Sequence, residues 1–372
     1  MSHHLVLISA GGTGGHLFPA EALGLALRQR GIRITLATDR RVGALSTSFP
    51  ADDVFEIPSA TPSGRSLIKM ARAGALLGLG VARAVPLIRR LRPAVVVGFG
   101  GYPTVPPLAA ARLLRVPTVI HEQNAVMGRA NRLLAGSASL IATGFSAVRG
   151  LPSGASGRVV HTGNPLRPSV LQAASSELPP VAEGGTIRVL VFGGSQGARV
   201  MSDIVPPAVE QLSGEFRSRL QITQQAREED LERVRSLYSR LNVSSEVEPF
   251  FKDLPSRMAG AHLVISRSGA STVAELAAIG RPAILVPLPG ALDQDQAANA
   301  ATLAGIGAAT VIAQDGFTPA RLAAELQRRF EDPALLTSAA AAAKSAGITD
   351  AAERLADAVI GLAGSPSHGR DS

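Results

Sequence analysis

HLVLISAGGTGGHLFPAEALGLAL, residues 4–27, sets how the rest of the chain reads. An apolar run, Leu5–Ala10, enters a loop with four glycines in five positions, Gly11 to Gly15, and a helical pattern from about Pro19 to Arg30 leaves it. Glycine adds to the entropy lost on folding, so such a cluster marks a tight turn or something that comes very close to the backbone. Strand, glycine loop and helix in that order open a doubly wound α/β domain, whose ligands bind beyond the carboxyl ends of its strands. Bare N–H groups at a helix start attract an anion such as diphosphate.

Outward from this unit the same pattern repeats. Apolar runs recur at IRITLAT (32–38), AVVVGF (94–99), PTVIHEQ (117–123), LIATGF (140–145) and RVVHTGNP (158–165), with helical patterns between several of them. Runs of Val, Ile and Leu without polar alternation predict parallel strands covered on both faces. LQAASSELPPVAEGGT (171–186) breaks the pattern and reads as a connection. The pattern then restarts with IRVLVFGGSQGAR (187–199), a close echo of the opening unit, followed by RLQITQQ, SEVEPFF, AHLVISR, PAILVPLP and AATVIA. Two α/β domains of similar build follow from this, an arrangement that suits 372 residues.

Composition narrows the function. With 3% aromatic residues and no Trp, stacking platforms for nucleic acid are not expected, and the absence of Cys removes thiolate metal sites. The net charge of +8 suits phosphorylated substrates or an anionic membrane. No secretory signal opens the chain. The uncharged stretch 94–111 is broken by Gly98, Gly100, Gly101, Pro103, Pro106 and Pro107 and reads as strand, loop and helix start. The stretch 66–93 mixes leucines with Lys69, Arg72, Arg83, Arg89, Arg90 and Arg92. It fits an interfacial segment on anionic phospholipid, or a pair of core helices broken near Gly78–Gly80.

Three glycine loops follow strands: GGTGGH (11–16), GFGGYP (98–103) and GGSQGAR (193–199). None fits the dinucleotide fingerprint or the P-loop, which argues against a nicotinamide oxidoreductase. His16 closes the first loop. A helix start disfavours its cationic form, so a neutral ring there can take a proton from a hydroxyl, or it can be structural. His121 and Glu122, at the end of a strand, are either assistants in proton removal or ordinary polar strand ends. Arg267 is a cation within reach of a diphosphate, or part of a surface pair. Thr272-x-x-Glu275 predicts a capping box, yet an ionised Glu275 can also take two ribose hydroxyls. DQD at 293–295 resembles a metal motif, but Asp293-x-x-Gln296 also reads as a capping box, the preferred reading.

GGTGGHLFPA, GFGGYPTVPPLAAA, HEQNAVMGRAN, TGNPLR, GGSQGAR, RSGASTVAEL and DQDQAANA occur in this order. Together, over roughly residues 5–360, they resemble the MurG family of peptidoglycan N-acetylglucosaminyltransferases. The resemblance implies the GT-B fold: α/β, two Rossmann-like doubly wound parallel-sheet domains facing a cleft. It implies inverting transfer of N-acetylglucosamine from UDP-N-acetylglucosamine to the 4-hydroxyl of the muramoyl-pentapeptide of lipid I, making lipid II, with no cofactor and no catalytic metal. The expected domains are 1–165 for the acceptor and membrane side and 166–345 for the UDP-sugar. A helix at 346–364 returns to the first domain, and 365–372 forms a disordered tail.

The resemblance and the residues' own chemistry together give the expected roles. His16 is the expected base, with Glu122 second. Gly12, Thr13, Gly14, Gly15, Gly100 and Gly101 would hold the acceptor diphosphate; Thr13, Gly14, Gly15 and Asn124 would also meet the donor sugar. Arg167 and Ser195 would engage the nucleotide, and backbone around Phe251 would read the uracil. Arg267 would face the diphosphate. Ala270, Ser271, Thr272, Val273, Ala274 and Glu275 would follow ribose and phosphates, and Gln296 the sugar or ribose. Expected partners are the donor, lipid I, an anionic phospholipid surface through 66–93 and a cell-wall synthesis complex, with no nucleic acid. The expected place is the cytoplasmic face of the bacterial inner membrane, as a peripheral protein. Other expected possibilities are a different UDP-sugar transferase acting on a glycolipid and a non-catalytic membrane scaffold.

Overall fold

The computed structural model describes residues 5–11, 14–39, 49–60, 67–180, 182, 184–194, 197–290 and 294–364. They divide into two compact units: the first runs to Arg167 and resumes at Thr349, and the second is Pro168–Ile348.

The first unit is a seven-stranded, all-parallel sheet. Its strands are β1 Leu5–Ser9, β2 Arg33–Thr38, β3 Asp53–Glu56, β4 Val95–Gly98, β5 Thr118–Glu122, β6 Leu140–Thr143 and β7 Val159–His161, in the order 3-2-1-4-5-6-7. Leu7 faces Thr35 on one side and Val96 on the other. Every residue of β1, β4 and β5 is buried, which explains their unbroken apolar runs. On one face Leu17, Leu23 and Leu27 of the helix Gly14–Gln29 pack with Leu355, Ala356 and Val359 of the helix Ala351–Gly364. On the other, Leu7 and Val96 meet Ala84, Ile88 and Leu108 from the helices Leu67–Leu91 and Val105–Leu113.

The second unit repeats the plan with β8 Ile187–Phe192, β9 Leu220–Gln225, β10 Ser244–Glu248, β11 Leu263–Ser266, β12 Ala283–Leu285 and β13 Ala309–Val311. The order is 10-9-8-11-12-13, again all parallel. Val189, Val191, Ile222, Ile265 and Ile284 form the core with Val205, Leu322 and Phe330. The order reverses between β1 and β4 in one unit and between β8 and β11 in the other. Loops leaving those strand pairs diverge, and ligands of doubly wound sheets bind at such points.

Several local expectations change. The first helix begins at Gly14 rather than Pro19, so two glycines form its opening turn and His16 lies within it. The expected connection 171–186 is partly structure, because Pro168–Ala174 is a helix packed on the helices Leu254–Gly260 and Ala270–Ile279. It is held there by Arg281, buried to 1% exposure, which donates to the carbonyls of Glu177 and Ala259, and by Lys344, which donates to those of Ala174 and Ala278. Residues 67–91 are one continuous helix, with no break at Gly78–Gly80. Gly80 explains the continuity: a Cβ there would meet the Pro58 carbonyl at 2.2 Å, so the glycine permits close packing instead of ending the helix.

Candidate active site

His16 sits in the first turn of Gly14–Gln29, at the switch point of the first sheet. The loop after β4 runs beside its ring. Gly100 and Gly101 adopt φ of 83° and 72°, a region that side chains avoid. A Cβ on them would also lie 3.3 Å from His16 Cε1 and 3.4 Å from His16 Cδ2. The two glycines thus let the backbone turn against the imidazole. His16 Nδ1 lies 3.1 Å from Gln123 Oε1, just beyond the end of β5. Gly14 and Gly15 open the His16 helix, with Gly15 exposed.

Glu122 is buried to 1% exposure, and both carboxylate oxygens accept hydrogen bonds. Oε1 takes the Asn124 backbone N–H at 3.0 Å and Asn124 Nδ2 at 3.3 Å. Oε2 takes the Gly128 N–H at 2.8 Å and Asn131 Nδ2 at 2.9 Å. The carboxylate thereby organises the segment from β5 to the helix Arg129–Ala135. Asn124, expected at the donor sugar, is half-buried on this carboxylate.

Arg167, expected at the nucleotide, is the last residue of the first unit before Pro168 opens the second. Its guanidinium carbon stands 4.0 Å above the Phe18 ring, on the His16 helix. Burial pushes the neighbouring Glu21 carboxyl up, and the charge of Arg167 opposes that shift. His121 is fully buried, with its ring centroid 5.3 Å from that of Phe99. Burial is the main cause that pushes its pKa down to about 4.

Since an exposed histidine titrates near 6.5, the unfolded chain binds a proton here before the folded one does. Stability is therefore full above pH 6.5 and is lost as pH falls toward 4, by up to about 3 kcal/mol from this group. Urea midpoints at pH 7.5 and 4.5 check this: the drop is expected to shrink in a His121→Asn variant.

In the second unit the corresponding loops follow β8 and β11. Gly193 donates its N–H to Gln225 Oε1 at 3.1 Å, and Gln225 Nε2 donates to the Pro249 carbonyl at 3.1 Å, so one amide ties the ends of β8, β9 and β10. Phe251, just past β10, is buried under Arg257, whose guanidinium carbon lies 4.3 Å from the ring centroid. The helix Ala270–Ile279 starts directly after β11 with Gly269, in extended conformation, as its N-cap. Thr272 is therefore its third residue and Glu275 its sixth, and the expected capping box does not form. Ala270, Val273 and Glu275 are buried, while Ser271, Thr272 and Ala274 are half-buried.

Arg267, expected to face a diphosphate, is buried, and its guanidinium is held by groups that follow β12 and β13. Nη1 donates to the carbonyls of Val286 and Pro287, both at 3.0 Å, and Nη2 donates to Gln314 Oε1 at 2.5 Å. Gln296 lies in the first turn of the helix Asp295–Ala304, and its Oε1 accepts from the Leu288 N–H at 3.0 Å. Ser268 Oγ donates to the Gln296 carbonyl, and Asn299 Nδ2 to the Ser268 carbonyl. The second predicted capping box is absent too, because Gln294 is the N-cap of that helix. Gly12, Thr13, Ser195 and Asp293 lie outside the described residues.

Residues 6–143 match the Glycosyltransferase family 28 N-terminal domain and residues 188–355 the Glycosyltransferase family 28 C-terminal domain. The chain belongs to glycosyltransferase family 28. Its members with curated names include a Methylorubrum populi protein, 63% identical over 364 residues and 98% of each chain, and a Methylobacterium sp. (strain 4-46) protein, 64% identical over 357 residues and 96% of each. Both are named UDP-N-acetylglucosamine–N-acetylmuramyl-(pentapeptide) pyrophosphoryl-undecaprenol N-acetylglucosamine transferase. The crystal structure of Acinetobacter baumannii MurG is similar, with a TM-score of 0.77 and 30% identity over 96% of this chain and 99% of that one. The fold is GT-B, as expected. Within this family 28 chain, sequence reasoning gave no role to Gln123, Asn131, Gln225 or Asn299. Gln123 and Gln225 share one signal, an amide at or just past the end of a strand, and Asn131 is an amide in the first turn of a helix, whereas Asn299 lies mid-helix and carries no such signal.

Proposed function

We propose that the chain is an inverting transferase that moves N-acetylglucosamine from UDP-N-acetylglucosamine to the 4-hydroxyl of the muramoyl-pentapeptide of lipid I, giving lipid II for peptidoglycan. The observation that carries this reading is near-full-length identity of 63–64% to relatives named for that transfer. The site chemistry agrees with it. In a single in-line displacement the acceptor hydroxyl attacks the anomeric carbon as UDP leaves on the opposite face. His16, in the first turn of its helix, takes the hydroxyl proton. Glu122 has all four of its described contacts as an acceptor and serves to hold the neighbouring loop. Charge growing on the leaving diphosphate is met by N–H groups of the β8 loop and of the first turn of Ala270–Ile279. Glu275 and Gln296 take the nucleotide's hydroxyls. The direct test is transfer of radiolabel from UDP-N-acetylglucosamine to a lipid I analogue, with UDP-glucose and UDP-galactose as controls. Label is expected in the lipid product from the first donor alone; equal transfer from the controls would overturn the assignment.

Because lipid I is a membrane lipid, the enzyme works at the cytoplasmic face of the inner membrane, and the helix Leu67–Leu91 supplies the contact. By length and composition Lys69–Leu91 is apolar enough to cross a membrane, yet Ala73, Gly80, Ala84 and Ile88 are buried in the first unit. Met70, Leu76 and Leu79 are exposed, as are Lys69, Arg72, Arg83, Arg89 and Arg90. Apolar side chains flanked by cations suit an anionic phospholipid surface. Flotation with phosphatidylglycerol vesicles is expected to fall at least severalfold for a Leu76→Ser, Leu79→Ser variant. Flotation insensitive to these changes would remove this helix from the contact.

A further inference from the structure

A chain of two side chains links His16 to a backbone carbonyl inside the first unit, and its polarity can be read from one end to the other. His121 Nε2 lies 3.0 Å from the Gly163 carbonyl oxygen. A carbonyl only accepts, so Nε2 carries the hydrogen. His121 is neutral over the working range because of its burial, so it has one ring hydrogen and its Nδ1 is an acceptor. Gln123 Nε2 lies 3.0 Å from that Nδ1 and 3.0 Å from the His121 carbonyl. Both partners demand a donor, so this atom is the amide nitrogen; a flipped amide would set oxygen against oxygen. The other end of the amide, Oε1, then faces His16 Nδ1 at 3.1 Å and can pair only with a donor.

The surroundings hold the chain in place. Asn131 Nδ2 donates to the His121 carbonyl at 3.2 Å and Asn164 Nδ2 to the Gln123 carbonyl at 3.0 Å. Gln123 is 2% exposed, so water does not compete for its amide. The titratable side chain that acts on His121 from outside this chain of contacts is His161, on β7, whose influence is smaller than that of burial.

We infer that His121 and Gln123 are positioning residues that fix His16 with its hydrogen on Nδ1, so that Nε2 is the nitrogen that receives the acceptor's proton. Free imidazole side chains favour the opposite form, so without the relay much of His16 would present an N–H where a lone pair is needed. The inference rests on His16 being the base, and its test separates the two ideas.

The test uses full-length protein labelled with ¹⁵N-histidine at pH 8, His16 being assigned by difference from His16→Ala. The ring nitrogens report the tautomer without any substrate. His16 Nδ1 is expected to carry the hydrogen in the wild type, and in Gln123→Leu the signals are expected to move toward the Nε2–H form. A wrong tautomer can cost a histidine base about 10⁴-fold, and Gln123→Leu leaves both forms populated, so kcat is expected to fall roughly 10-fold or more with donor KM little changed. A wild-type His16 with hydrogen on Nε2 would overturn the inference. So would a Gln123→Leu variant that keeps both the Nδ1–H form and its kcat. If Gln123→Leu fails to fold, the wild-type spectrum still decides. The kcat of His16→Ala tests the base itself, so the two readings fail separately.

Discussion

Replacing His16 with alanine is expected to lower kcat by about 10²–10⁴-fold while KM for the UDP-sugar stays within about threefold. The size follows from the work a base does: without it the attacking hydroxyl keeps its proton until late in bond formation. The small KM effect follows from placement, since His16 belongs to the first unit and the groups proposed for the nucleotide belong to the second. Steady-state kinetics on a lipid I analogue, with circular dichroism to verify folding, gives both numbers. An unchanged kcat would take His16 out of the role. A raised donor KM with kcat intact would make it a binding residue.

A Glu122→Leu variant is expected to lose stability on the order of 3–5 kcal/mol. Leucine fits the site in size but leaves buried donors without an acceptor: the N–H groups of Asn124 and Gly128 and the Asn131 amide. Hydrogen bonds to a charged group are each worth about 1.5–3 kcal/mol, and part is recovered as the loop relaxes toward water. Glu122→Gln keeps one acceptor oxygen and is expected to lose less. Urea denaturation measures the difference. The opposite pattern, an unchanged midpoint with kcat down 10²-fold or more, would move the general base from His16 to Glu122.

Strands buried on both faces were the legible part of the fold, because a doubly covered sheet asks for Val, Ile and Leu at every position. The runs LVLIS, VVVG and IRVLVF needed no alternation to be read, and the two glycine loops marked the same switch point in each unit. Strand β3 escaped because it lies at the sheet edge, where DVFE is mostly exposed. Glycines obscured two helices in different ways. Gly14 and Gly15 start one despite their poor propensity, so the sequence pattern placed its beginning too late. In the other, Gly78 and Gly80 looked like a break, yet Gly80 is where Pro58 and Pro106 press closest.

Both predicted capping boxes failed on where the helix begins: one starts at Ala270, ahead of Thr272, and the other takes Gln294 as its N-cap, one residue past Asp293. His16 and the glycines around it could be placed from the sequence. Gln123 could not, because its role depends on which way an amide points, and that is set by the carbonyls of His121 and Gly163 in the folded chain.

The division of labour itself, nucleotide on the second unit and base on the first, is tested most directly by hydrogen exchange with and without UDP. UDP is expected to slow exchange in peptides that cover 193–199 and 267–280 and to leave 14–29 and 98–104 unchanged. Protection confined to the first unit's segments, or none at saturating UDP, would contradict it.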